Sequence, residues 1–182
     1  MPKSTPWRSS VLLLLCVGGC GQSSLSNDSV LAFIDDADDA ARRRSAPDIC
    51  RMRGQQFVTT TEFHSVGARP VAQGSSDRRE YCRSLSTFAQ VRQYVLERKS
   101  IDVALAGDAQ TAVVTAEYEE RLPFYPPTSQ PRSRDDFSSV QVLKTHDVST
   151  VGIEDGEIVF LSTDSEVWET LVPRSAVVLP NE

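Results

Sequence analysis

The sequence predicts an α+β domain in which N-terminal helices pack into a strongly curved antiparallel sheet, and three observations predict it. Apolar residues recur at helical spacing from Val30 to Ala41 and again from Tyr81 to Val95, they alternate with polar ones in the hairpins from Ile101 onward, and the alternation changes parity inside one long strand. A 3.6-residue period followed by a 2-residue period places helices before strands. A parity change inside a strand implies an inserted residue, and inserted residues bend sheets.

The elements follow in order. Val30, Phe33, Ile34, Ala37, Ala40 and Ala41 form one helical stripe, with Asp35, Asp36, Asp38 and Asp39 assigned to the opposite face and Arg42, Arg43 and Arg44 at the end. Acid early and base late complement the helix dipole, so the arginine run reads as a solvated helix end rather than a ligand clamp. Ser45, three residues before Asp48 and with Pro47 in the first turn, starts a short second helix that carries Ile49, Cys50 and Met52 and stops at Gly54. Residues 57–65, rich in Thr and aromatics, read as a strand, and Gly67, Pro70 and Gly74 mark a polar loop. Asp77 with Glu80 opens a third helix, whose stripe Tyr81, Leu85, Phe88, Val91 and Val95 predicts about 20 residues and makes it the longest of the three.

In the second half, Ile101, Val103 and Leu105 alternate, and so do Ala112, Val114, Ala116 and Tyr118. A loop over Gly107 to Gln110 puts 105 opposite 112, 103 opposite 114 and 101 opposite 116, with both apolar sets on one face. The Asp155-Gly156 turn pairs Ile153 with Ile158 and Val151 with Phe160, and sets Glu154 opposite Glu157. Between these hairpins Ser138 to Glu154 reads as one strand. Its apolar positions are even at Val140, Val142 and Val148 but odd at Val151 and Ile153, which predicts a bulge between Thr145 and Thr150. After Asp164, read as a helix cap, "SEVWETLV" predicts a helical turn holding Trp168, so that residues 165–182 form a C-terminal turn and tail.

Ahead of the domain, Lys3 and Arg8 precede an apolar run from Val11 to Val17 and the small pair Gly18 and Gly19. This is the order of a secretory signal, and it is far short of the roughly 20 apolar residues a spanning helix needs. Val17-Gly18-Gly19-Cys20 resembles the lipobox of bacterial lipoproteins, with Gly18 departing from the more usual Ala or Ser. The resemblance implies a diacylglyceryl group on Cys20 and cleavage before it, with 1–19 as signal peptide, 20–29 as tether and 30–164 as the domain. Gly21 and Gln22 lack the Asp that retains such proteins at the inner membrane, so the resemblance implies the outer membrane, facing the periplasm. Cys16 then departs with the signal, Cys20 is acylated, and Cys50 and Cys82 remain as a couple. In an oxidising compartment that arithmetic reads as a disulfide; a reactive thiol pair or half a metal site stands as the alternative, without the short spacing or histidine cluster either needs. Without its first 19 residues the chain carries 17 basic against 25 acidic residues. Nucleic-acid and anionic-lipid binding do not fit that balance, whereas a cationic protein partner does.

The stretches "DRREYCRSLSTFAQVRQYVLERKSIDVALAGDAQTAVVTAEYEE" and "VGIEDGEIVFLSTD" resemble the long helix, first hairpin and closing hairpin of the nuclear transport factor 2-like superfamily, which includes the SnoaL-like proteins. The resemblance covers Val30 to Asp164. It implies a cone-shaped fold with a pocket at its open end and dimers through the sheet. Some members are enzymes of the isomerase or cyclase type, and others are binding or interaction modules. Enzymes on this fold move protons with an Asp, Glu, His or Tyr, which makes His64, Asp102, Tyr118 and His146 the candidate catalytic residues. Each has a plainer reading as a surface or core side chain, and His146 and Asp147, adjacent on a strand, point to opposite faces. No metal spacing is present and no cofactor is expected. The connection "RLPFYPPTSQPRSR" carries four prolines with Phe124 and Tyr125, and reads as a rim that clasps a ligand or partner. The expectation is therefore a lipid-anchored binding domain for a small apolar ligand or a protein. Immunity against a secreted toxin and SnoaL-like catalysis are the alternatives. Membrane-extracted protein is expected to have the mass of an acylated chain starting at Cys20, and Cys20→Ser is expected to leave the membrane fraction; retention there would refute the anchor.

Overall fold

A computed structural model describes residues 24–65, 72–124, 139–177 and 179, so Cys20, Tyr125 and most of the proline-rich connection lie outside the described residues. Helices α1 (Asn27–Arg42) and α2 (Ala46–Arg51) lead into strands β1 (Arg53–Ser65) and β2 (Ala72–Asp77). Helix α3 (Arg78–Phe88) follows, and then β3 (Val95–Leu105), β4 (Thr111–Phe124), β5 (Ser139–Glu154) and β6 (Glu157–Pro173). The six strands form one curved sheet in the order β2-β1-β6-β5-β4-β3. All neighbours are antiparallel except β1 and β6, which run parallel. The sheet is therefore mixed rather than purely antiparallel. No tight turn joins β1 to β6, so nothing local forces them to oppose.

Both hairpins have the register expected from alternation. Leu105 faces Ala112, Val103 faces Val114 and Ile101 faces Ala116, while Ile153 faces Ile158 and Val151 faces Phe160. Positive φ at Asp155 and Gly156 gives the turn that matches strand twist. The bulge, however, lies on the other strand. Strand β5 pairs with β4 in unbroken register from Gly152 to Ser139. Thr150 faces Ser162 while Val151 faces Phe160, so the extra residue is Leu161 of β6. Its side chain sits where a Cβ on Gly152 would be, 2.7 Å from that position, and only glycine leaves the space. The parity change misled because the inward residues at mid-strand are Asp147 and Ser149, whereas Val148 is 37% exposed on the opposite face.

Three further expectations are corrected. "SEVWETLV" is not a helical turn: it is the second half of β6, paired with β1 on one side and β5 on the other, and its Val, Trp and Thr residues suit a pleated surface. Helix α3 stops at Phe88, and among the described residues α1, with 16 residues, is the longest helix. Val91 lies in the following turn, where Arg44 donates to its carbonyl, and Val95 opens β3. The folded domain starts before Val30, because Ser26 and Ser29 form a reciprocal capping box and Leu25, 5% exposed, belongs to the core. The Asp77 start of α3 is as expected, its side chain accepting from the Glu80 N–H at 2.8 Å.

Val30 and Ile34 of α1 pack with Phe57, Val114, Val151 and Phe160 in the main core. A smaller cluster of Ala40, Ile49 and Leu85 joins the three helices. Beside it Cys50 of α2 and Cys82 of α3 are bonded, with Cα atoms 5.4 Å apart. So small a cluster gives a six-residue helix little burial, and the covalent link supplies what is missing. Replacing both cysteines by serine is expected to lower unfolding stability by roughly 3 to 4 kcal/mol, the chain-entropy value for such a loop. Urea unfolding should show this difference against the oxidised chain and none against the reduced one.

Candidate functional site

Helices α1, α2 and α3 stand over the concave face of the sheet and leave a cavity of about 450 Å³. The sheet wall is polar by register. Thr59, Thr163, Ser149 and Val114 face one another in turn across β1, β6, β5 and β4. One step along, Thr61, Ser165, Asp147 and Ala116 do the same, and all eight residues line the cavity. The Ser149 and Thr163 hydroxyls hydrogen-bond at 2.9 Å. The helical wall is mostly apolar, formed by Ile34, Ala37 and Ala41 of α1, Ile49 of α2, and Leu85 and Phe88 of α3, with Asp38 and Ser84 as polar members.

Asp38, Glu120 and Asp147 bring carboxyl groups into this space, with Tyr94 and Tyr118 beside them. Asp38 is 4% exposed although its helix neighbours Asp35, Asp36 and Asp39 face outward. It lies 3.0 Å from Arg98 and 3.7 Å from Arg42, and it accepts from the Tyr118 hydroxyl. Burial raises its pKa more than the two arginines lower it. Glu120 is raised by burial and accepts from Tyr94 at 2.6 Å. Burial also raises Asp147, against the lowering influence of the Ser165 hydroxyl and of Arg53. Both tyrosines are pushed upward, chiefly by burial and then by the neighbouring carboxylates, so they remain hydrogen-bond donors. Arg53 completes the ring, its guanidinium carbon 4.1 Å from the centre of the Phe160 ring. Phenol and carboxyl groups of this kind can donate, accept and move protons.

Of the four catalytic candidates only Tyr118 reaches the cavity. His64 lies on the opposite face of β1, stacked on Trp168 with ring centres 5.3 Å apart. His146 shares that outer face with Lys144, Glu117 and Trp168, and Asp102 is exposed on β3. Trp168 therefore neither lines the cavity nor closes the core. Phe124 ends β4 opposite Ser139, away from the cavity lining, and Tyr125 falls outside the described residues. Among the described residues no group of side chains could hold a metal ion, and no helix is long and apolar enough to cross a membrane.

The acids escaped because a charged residue reads as outward. Yet each sits on an apolar parity: Asp38 four residues after Ile34, Glu120 two after Tyr118, and Asp147 at even spacing from Val151 and Ile153. An acid that continues an apolar stripe was the available signal.

No family model and no curated protein matches the chain by sequence. Solved structures do match. A protein provisionally assigned as a scytalone dehydratase, from Novosphingobium aromaticivorans, superposes with a TM-score of 0.58 at 11% identity, covering 85% of this chain and 90% of that one. An NTF2-like protein from Cytophaga hutchinsonii superposes at 0.54 with 9% identity, covering 78% and 98%. The chain has the nuclear transport factor 2-like fold. A hexachlorocyclohexane dehydrochlorinase of the LinA type, from Novosphingobium barchaimii, also shares this fold, with a TM-score of 0.56, 8% identity and coverage of 85% and 94%. At such identities the likeness is one of fold, and the site must be argued from its own residues.

The raised carboxyls have a consequence for stability. An acid whose pKa is higher in the folded than in the unfolded chain contributes most below its ordinary value, and that contribution is lost as pH rises through the raised value. Surface Asp48 and Glu119 are lowered and act in the opposite sense, at lower pH. Urea midpoints are therefore expected to fall as pH rises above the ordinary carboxylate range, and Asp147→Asn and Glu120→Gln should each reduce the fall. An unchanged fall in both variants would refute the assignment.

Proposed function

We propose that this chain is the ligand-binding domain of a lipid-anchored envelope protein. It holds a small organic molecule with one polar and one apolar side between the sheet and the helices, and it is tethered to the outer membrane through Cys20. The observation that carries this reading is the two-sided cavity, with two adjacent sheet rows that carry five hydroxyls and the Asp147 carboxyl facing a mostly apolar helical wall. Cavities of several hundred Å³ that are mostly preformed and place a few polar groups among apolar ones are the usual form of small-molecule sites. The lipobox resemblance supports the envelope setting.

A second reading is favoured by a different observation. Asp38, Glu120 and Asp147 are raised carboxyls beside the Tyr118 and Tyr94 phenols, the groups that proton abstraction and elimination require. Two proteins of the same fold have names that denote elimination chemistry, a dehydratase and a dehydrochlorinase.

One experiment addresses both. Purified protein incubated with a cell extract and sprayed under native conditions is expected to carry a bound small molecule, and Ser149→Leu, which fills the polar row, is expected to lose it. Recovery of that molecule with unchanged mass supports binding. Recovery lighter by an eliminated group, abolished by Asp147→Asn, would replace binding with catalysis. Equal retention by Ser149→Leu would refute the cavity as the site.

A further inference from the structure

Arg53 opens β1, and its side chain lies in an aromatic box. Its guanidinium carbon is 4.1 Å from the centre of the Phe160 ring and 5.1 Å from those of Phe57 and Tyr81. These faces attract the cation and hold its plane in place. They satisfy few of its N–H groups. Nη2 reaches the Tyr81 hydroxyl at 3.2 Å, but Nε and Nη1 are buried without an acceptor. Asp147 lines the same cavity in the row with Thr61, Ser165 and Ala116, and its Oδ1 is buried without a donor. The two groups are near enough for the arginine charge to act on the carboxyl, yet these atoms are not hydrogen-bonded to each other.

A buried donor or acceptor without a partner carries its full desolvation penalty, and native structures hold few of them. Asp38 Oδ2, which lines the same cavity and also lacks a hydrogen-bond partner, is faced by Arg98 at 3.0 Å; the two donors of Arg53 and the one acceptor of Asp147 point to a partner that comes from outside. From this geometry we infer that the ligand presents a carboxamide head group between Arg53 and Asp147, its carbonyl accepting from Arg53 and its N–H donating to Asp147. The inference rests on the binding reading above and names the ligand class for that site. A carboxylate head would accept from Arg53 but has no N–H to give Asp147 Oδ1. An ammonium head would donate to Asp147 but carries no acceptor for Arg53 and faces the arginine charge. A carboxamide carries acceptor and donor on one planar group and brings no net charge to desolvate. The remainder of the ligand then lies along Ile34, Ala37, Leu85 and Phe88 of the helical wall.

Four probes with one phenylpropyl frame test this on the unaltered protein by calorimetry: hydrocinnamamide, hydrocinnamate, phenylpropylamine and propylbenzene. Hydrocinnamamide is expected to bind at least about tenfold more tightly than each of the others, a modest return for pairing groups that are otherwise unsatisfied. That preference should collapse towards equality in Arg53→Met and in Asp147→Leu. An amide that binds no better than propylbenzene, or a charged probe that binds best, overturns the head group while leaving cavity binding intact. Failure of all four to bind, with a cellular ligand still retained under native spraying, overturns it too. Should either variant fail to fold, the ranking of the four probes on the unaltered protein still decides.

Discussion

Strand β6 has one more residue than β5 opposite it, and that residue, Leu161, fills the space above Gly152. An inserted residue strengthens local twist and bends the strand that carries it. Because β6 lies between β1 and β5, its bend is transmitted to both neighbours, and the sheet acquires a concave side. Near the bend, Val151 and Phe160 meet Val30, Ile34 and Phe57 in a dry core. Farther along the strands the helices no longer fill the concavity, and the space that remains is the cavity. The site is thus a consequence of where the sheet bends and of how short α2 and α3 are.

The interior of this cavity is less charged than its residues suggest. Glu120 is joined to Tyr94 and Asp147 to Ser165, while Asp38 takes a hydrogen bond from Tyr118 and faces Arg98. Burial pushes all three carboxyls towards their neutral forms. The surplus acid of the chain is a surface property, relevant to solubility and to partners. The acids inside serve as hydrogen-bonding groups in a space of low dielectric, where each unmade bond is costly. Arg53, held among aromatic faces, is the counterpart on the donor side.

Much of the fold was legible because it is local. The hairpin registers follow from alternation and from the turns at Gly107–Gln110 and Asp155–Gly156, and the cap of α3 from Asp77 and Glu80. The link between Cys50 and Cys82 was expected from the lipobox resemblance, which sets Cys16 and Cys20 aside and leaves these two. The site was less legible. Tyr118 was found because it ends an apolar alternation, whereas His64, Asp102 and His146 were chosen for chemical type, and the pleat turns them outward. Residues 165–173 were misread as helical because Asp164 looks like a cap, although Val167 and Trp168 suit a strand that is paired on both sides.

By itself, then, the sequence determined where the Asp77 cap starts α3 and how the strands of the two hairpins align. Periodicity and turn chemistry act within a few residues. Only the tertiary structure decided that β1 lies parallel to β6, that the extra residue is Leu161, and that Asp38, Glu120, Asp147 and Arg53 converge on one space. Those outcomes depend on contacts between residues about 100 positions apart, as when Arg53 meets Phe160. A polar side chain on an inward parity declares its role only once the opposite wall is in place to bury it.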